Sequence, residues 1–289
     1  MGNLDYKELE EHVVQWLKDY TRRSRTKGFV IGVSGGLDSA VVSTLAAKTG
    51  LPLMVLEMPI KQKSNEVGRA QRHIEWLKEN FDNVQSREID LNSRDKGLDI
   101  VNSFDFLMEH INRSLDFVEE GEAINLAEAN ARSRMRMMML YYYASLTGSL
   151  VLGTGNKVED FGVGFYTKYG DGGVDISPIA DLMKSEVGEL GKSMGVIDEI
   201  IIAVPTDGLW NDGRTDEDQL GATYTELEWA MEYVETFKNE NGEEGVLLPD
   251  LEKLTIRQIE VVEIYIKKHL ANKHKMEPIP IFNTKFLRK

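Results

Sequence analysis

Six consecutive residues, Ser34-Gly35-Gly36-Leu37-Asp38-Ser39, stand between the apolar run Phe29–Val33 and the stretch Ala40–Ala47. The types and their order describe an anion site. A β-branched run reads as a buried strand, and the stretch that follows reads as a helix. A Ser/Gly turn between them points backbone N–H groups at the start of the helix, where the dipole also favours negative charge. Gly35 and Gly36 let a phosphate come close to the backbone. Asp38 then stands beside that phosphate, which suits an acid that holds Mg²⁺ against phosphate oxygens.

Two better-known loops do not fit. A Walker A loop needs Lys and then Ser/Thr after its last glycine, and neither occurs here. Gly32, Gly35 and Gly36 do not make G-x-G-x-x-G. Residues 34–39 resemble instead the pyrophosphate loop of enzymes that cleave ATP between its α and β phosphates. That superfamily includes NAD synthetase, the ATPase domain of GMP synthetase, asparagine synthetase and several tRNA-modifying adenylases. Without that context the same residues describe a strand-to-helix turn capped by Ser34, with Asp38 complementing the dipole.

The elements that position this loop are legible along the chain. Residues 4–20 place Leu9, Val13, Trp16, Leu17 and Tyr20 on one helical face. Residues 53–58 form a second strand stopped by Pro59, residues 66–80 a helix, and residues 84–90 a third strand. Alternating strands and helices predict parallel βαβ units in an α/β, doubly wound, mostly parallel sheet with helices on both faces. A helix is expected over 104–118 and a long one over 124–147, with the methionines at 135 and 137–139 packing in the core. Residues 150–154 read as a further buried strand. The stretch 155–178 is Gly-rich, irregular and long for an idle loop. A helix near 184–194 ends at Gly195, residues 205–216 form a polar loop, and Asn239–Gly245 reads as a solvated turn. Thr255 and Gln258 make a capping box for a helix over 256–270. One domain over 1–289, with a C-terminal helical segment from about 217, fits this order best.

A second constellation follows the strand at 150–152. Gly153-Thr154-Gly155-Asn156-Lys157-Val158-Glu159 leaves its carboxyl end, where open parallel sheets bind ligands. Glu159 therefore belongs on the same rim as Asp38, and two acids converging on a triphosphate suit Mg²⁺. Read alone, Glu159 is better explained as a surface carboxylate. Next comes Gly164-Phe165-Tyr166-Thr167-Lys168-Tyr169-Gly170-Asp171-Gly172-Gly173. Together these resemble the G-T-x-x-x-x-E and F-[FY]-T-K-Y-G-D-G-G segments of the NAD synthetase family. Asn130-Ala131-Arg132-Ser133-Arg134-Met135 is similar to that family's A-R-x-R-M helix. Leu182-Met183-Lys184, Pro205-Thr206, Thr215-Asp216-Glu217 and Lys273-His274-Lys275 with Pro278 extend the resemblance from about Leu9 to Phe282.

Three positions depart from the pattern. Ala127-Glu128 stands where members often have Gly-Asn, Glu57 where some carry an arginine near ATP, and Gln219 where some have Glu.

The resemblance implies amidation of deamido-NAD in two steps. The substrate carboxylate attacks the α-phosphorus of ATP, giving an acyl adenylate and pyrophosphate, and ammonia then displaces AMP. It implies ATP contacts from Ser34, Gly35, Gly36, Leu37, Asp38, Ser39, Thr154, Lys184 and Thr206. It implies deamido-NAD contacts from Arg132, Phe165, Lys168, Asp171, His274 and Lys275. Asp38 and Glu159 would hold Mg²⁺, Lys184 would neutralise phosphate charge, and Asp171 could accept a proton from the incoming ammonia. The resemblance also implies a homodimer. The loop at 155–173, with its six glycines, is expected to close over the intermediate.

Bulk properties narrow the classes. With 34 Lys+Arg against 48 Asp+Glu the net charge is −14, which opposes nonspecific nucleic-acid binding. The chain has no cysteine, so it carries no thiol nucleophile with which to release ammonia from glutamine, and free ammonia is the expected donor. No apolar run approaches the roughly 20 residues needed to span a membrane. The first residues lack a signal-peptide core, so a cytoplasmic enzyme is expected. Three other readings compete. They are a GMP synthetase-like amidotransferase subunit, a tRNA-modifying adenylase and a non-catalytic nucleotide sensor. The run 164–173 argues against the first, the missing cysteines and acidic charge against the second, and the paired acids against the third.

Overall fold

The computed structural model describes residues 4–60, 64–91, 121–206, 214–241 and 253–285. The helix expected at 104–118 lies outside them. In chain order the elements are α1 (Tyr6–Ser24), β1 (Phe29–Gly32), α2 (Leu37–Lys48), β2 (Leu53–Glu57), α3 (Ser64–Asn80), β3 (Val84–Glu88), α4 (Glu122–Thr147) and β4 (Leu150–Val151). A π-helical turn (Lys157–Val163) follows, then α5 (Lys184–Ser193), α6 (Asp198–Ile201), α7 (Asp216–Leu220), α8 (Tyr224–Asn241) and α9 (Ile256–Met276).

Local chemistry sets several boundaries. Asp5 caps α1 by accepting the N–H groups of Lys7 and Glu8 at 3.0 and 3.2 Å. The α4 helix stops where Gly148 takes φ +66°, a conformation that needs no Cβ. The Thr255–Gln258 capping box forms at the start of α9 as expected. The turn expected over Asn239–Gly245 is not seen at its start: α8 runs through Asn239 to Asn241, because Lys, Glu and Asn tolerate a helix when no glycine or proline intervenes, and residues 242–245 lie outside the described ones.

The sheet is parallel, in the order β3-β2-β1-β4. Phe29 pairs with Leu53, Leu53 with Val84, and Val30 with Val151. Alternate side chains serve opposite faces. Phe29, Ile31, Leu53 and Val55 pack against α1, α2, α3 and α5. Val30, Leu56 and Val151 pack against Met137, Leu140 and Ala144 of α4. The doubly wound expectation is met. The expectation for the methionines is met in part: Met137 is in the core, Met135 and Met139 pack against it, and Met138 faces outward.

Beyond Val151 the strand reduces to a single bridge between Leu152 and Ile176. The following segment is more ordered than its glycines suggested. Asn156 caps the π-helical turn by accepting the Glu159 N–H at 3.1 Å, and Gly164 closes it at φ +66°. A separate apolar cluster, with Val158, Leu227, Met231 and Val262 among its buried members, joins this turn to α7, α8 and α9. Among the described residues no helix is long and apolar enough to cross a membrane.

Candidate active site

The strand order changes direction at β1 and β4, so the chain leaves their carboxyl ends on opposite faces and opens a crevice between them. A cavity of about 460 Å³ occupies that position. Ser34, Gly36, Leu37, Asp38 and Ser39 line one side. Gly35 takes φ +81°, and a Cβ there would fall 2.5 Å from the Glu66 carbonyl, so this turn requires glycine. Its own carbonyl accepts Arg69 Nε at 3.1 Å. Gly36 caps α2 with no side-chain bond to the exposed N–H groups, which leaves that helix start open toward the cavity. The Ser34 hydroxyl accepts the Gly36 N–H at 3.3 Å within the loop itself.

Asp38 and Glu159 meet through Lys184. The Lys184 ammonium lies 2.5 Å from Asp38 Oδ2 and 3.0 Å from Glu159 Oε1, with all three side chains largely buried. Burial alone would lower the Lys184 pKa, but the two carboxylates outweigh it and raise it, so the ammonium stays charged. Burial would likewise raise Glu159. Lys184 and the Tyr224 hydroxyl prevail and hold it below the usual carboxylate range. Asp38 Oδ1 is buried without a hydrogen-bond partner among the described residues. An orphaned carboxylate oxygen of this kind fits a hard cation that takes its other ligands from phosphate and water. Among the described residues no three acids or histidines stand together as a closed metal cage.

The remaining expected residues divide. Thr154, Thr206, Phe165 and Asp171 line the cavity. Asp171 Oδ1 accepts the Ser133 hydroxyl at 2.7 Å and the Thr167 N–H at 3.0 Å, and burial pushes its pKa up. Four others lie outside the cavity wall. Arg132 is buried, 3.7 Å from Glu128, the residue that replaces the family's Asn. Lys168 Nζ donates to the His274 carbonyl at 3.0 Å. Lys275 Nζ donates to the carbonyls of Gly164 and Tyr166. Together with Asn272, which donates to the Val163 carbonyl at 2.9 Å, these residues tie α9 to the loop. The expected lid is thus anchored to α9 by its backbone carbonyls.

Several wall residues gave no local signal in the sequence. Asp160 reaches over Gly155, where a Cβ would lie 2.2 Å from its Oδ1. Burial first, then Glu159 and Asp171, raise its pKa well above the usual range. Arg69 and Arg136 also face the cavity, as does Asp216 of the Thr215-Asp216-Glu217 segment that the resemblance had marked. Arg136 Nε donates to the Met58 carbonyl at 3.1 Å, so an arginine from α4 stands at the end of β2 although β2 itself carries Glu57.

The NAD synthase family's sequence model matches residues 9–278. The chain belongs to that family. An NH(3)-dependent NAD(+) synthetase of Methanosarcina mazei is 32% identical over 282 residues, covering 96% of this chain and 99% of the relative. One of Finegoldia magna is 36% identical over 226 residues, covering 78% and 84%. A structure of NMN synthetase from Francisella tularensis superposes with a TM-score of 0.75 at 31% identity, covering 97% of this chain and all of that one. The NH3-dependent NAD synthetase of Campylobacter jejuni gives 0.70 at 24% identity over 97% of this chain and all of that one, a likeness of fold. The parallel sheet with helices on both faces is the fold shared with these synthetase structures. The chain is a ligase of NAD biosynthesis that couples ATP to amidation with ammonia.

Proposed function

We propose that the chain makes NAD from deamido-NAD through an acyl adenylate, releasing pyrophosphate and then AMP. The observation that carries this reading is the Lys184 ammonium shared by Asp38 and Glu159 at the open start of α2. Backbone N–H groups at 34–39 and Lys184 would hold the β and γ phosphates, with Thr154 and Thr206 beside the nucleotide. Asp38 and Glu159 would hold Mg²⁺, which supplies charge neutralisation to the leaving pyrophosphate. Phe165 and Asp171 would receive the nicotinate end. The Asp171 carboxyl, raised by burial, is suited to take a proton from ammonia as it attacks. Arg132, Lys168, His274 and Lys275 would act by shaping the loop and α9 around that end.

The helix face Met138, Tyr142 and Leu146 of α4, spaced four apart and exposed, supports a homodimer. A single synthetase unit over 1–289 with a helical extension from about 217, working in the cytoplasm without nucleic acid or membrane, completes this reading.

The likeness to an NMN synthetase supports a second reading, in which the substrate is the mononucleotide of nicotinic acid. Both readings share the adenylation chemistry and differ in whether the substrate carries a second nucleotide. The deciding experiment supplies Mg-ATP and ammonium with either substrate and compares kcat/KM. A higher value for deamido-NAD, with one AMP and one pyrophosphate per turnover, supports the first reading. A higher value for the mononucleotide supports the second. ADP as the product would overturn both. Glutamine in place of ammonium should give no product.

A further inference from the structure

Tyr224 opens α8 and is buried at the point where the C-terminal helices reach the phosphate end of the cavity. Its Oη lies 2.5 Å from Glu159 Oε1, the oxygen that Lys184 Nζ meets at 3.0 Å. A phenol has one proton and an ionised carboxylate only accepts, so the short contact is the tyrosine donating to Glu159. Asp216 Oδ2 stands 3.3 Å from the same hydroxyl. The ring lies under the Lys184 ammonium, 4.9 Å from its centroid, where the electron-rich face attracts the cation. The backbone is fixed too. The Tyr224 N–H donates to Glu217 Oε1 at 2.9 Å, and the Asp216 N–H donates to the Pro205 carbonyl, next to Thr206, at 3.2 Å.

One side chain therefore touches both an acid and the cation of the site, and is itself held by α7, which in turn bonds the segment that carries Thr206. The apolar cluster around it includes Leu227 and Val158 and asks only for a ring. The hydroxyl is the part that packing does not explain. We propose that Tyr224 is a positioning residue for adenylation, aiming Glu159 through its hydroxyl and Lys184 through its ring so that both meet the phosphates in one arrangement. This rests on the assignment of Asp38, Glu159 and Lys184 above.

The test compares Tyr224→Phe, Glu159→Gln and the double variant. Two quantities are read: Mn²⁺ binding with ATP present, followed by the electron paramagnetic signal of free Mn²⁺, and the separate kcat and KM values. Tyr224→Phe should weaken Mn²⁺ binding and lower kcat by about tenfold, the effect of one charge-assisted hydrogen bond, with KM for the nicotinate nucleotide unchanged. In the Glu159→Gln background the same change should have a clearly smaller effect, because the amide oxygen accepts the hydroxyl without the charge that strengthens the bond. An equal loss in both backgrounds, or wild-type Mn²⁺ binding by Tyr224→Phe, would overturn the proposal. Wild-type behaviour of Glu159→Gln alone would instead overturn the site assignment beneath it. The rise in Tm produced by Mn²⁺ and ATP, taken from each variant's own baseline, keeps the comparison valid if Tyr224→Phe melts lower.

Discussion

Asp38 and Glu159, carried on separate β–α connections, are joined through one atom, the Lys184 Nζ, at 2.5 and 3.0 Å. Two buried carboxylates at such a distance from one ammonium repel each other as soon as that ammonium is removed. Lys184→Met should therefore destabilise the fold by about 3 kcal/mol, the usual result of breaking a buried ion pair from one side. Millimolar Mg²⁺ should restore part of that loss by replacing the missing charge. Urea denaturation with and without Mg²⁺ measures both effects. A variant as stable as wild type and indifferent to Mg²⁺ would contradict the electrostatic account.

Asp38→Asn keeps the shape of the side chain and removes its charge. With the phosphate pole weakened, pyrophosphate release should fall on the order of 100-fold, as when one preorganised charge-stabilising group is lost. Circular dichroism should remain that of wild type, since Asp38 is in the first turn of α2 and takes no part in the apolar cluster that joins α2 to the strands. Wild-type pyrophosphate release from a folded Asp38→Asn protein would remove Asp38 from the site.

The sheet and the strand-turn-helix at 34–39 were legible because their signals are local. Phe29–Val33, the glycines and Asp38 carry strand, turn and charge within ten residues. The rim position of Glu159 followed from topology once the sheet was known to be parallel. Tyr224 and Arg136 were not legible as site residues. Arg136 reaches the cavity and Tyr224 reaches Glu159 from elements whose own patterns read as helix and core, and only the packing of α4 and α8 brings them there. His274 and Lys275 show the reverse. Their motif marked them as substrate contacts, but the position of α9 turns Lys275 onto loop carbonyls. No spacing in the sequence encodes that choice.

His73 provides a pH test of the scaffold behind the turn at 34–39. It is fully buried on α3, its Nε2 lies 2.9 Å from the Ser43 hydroxyl of α2, and burial lowers its pKa to about 4. Unfolded, the same imidazole titrates near 6.5. Between these values the unfolded chain binds a proton that the folded one refuses, so stability falls as pH drops from about 6.5 toward 4. Through this residue the protein should be about 2 kcal/mol less stable at pH 5 than at pH 7. His73→Gln should flatten that part of the stability curve. An unchanged slope in the variant would show that other groups carry it.

Gly164 joins the π-helical turn to the Phe165–Gly173 run, and two constraints meet there. Its φ of +66° is strained for any residue with a Cβ, and a Cβ would lie 2.4 Å from the Cβ of Asn272 on α9. Gly164→Ala therefore adds a left-handed penalty of about 1–2 kcal/mol and forces α9 away from the loop. Withdrawal of α9 would lengthen the bonds from Asn272 and Lys275 to the carbonyls of Val163, Gly164 and Tyr166. Those bonds hold the segment that carries Phe165 and Asp171 against the cavity, whereas Asp38 and Lys184 lie on α2 and α5. The damage should thus fall on the nicotinate side. KM for the nicotinate nucleotide should rise several-fold, KM for ATP should change little, and proteolysis after Lys168 should become faster than in wild type. Equal rises in both KM values would mean that α9 supports the whole rim rather than the loop, and unchanged proteolysis would mean that the loop holds its place without α9.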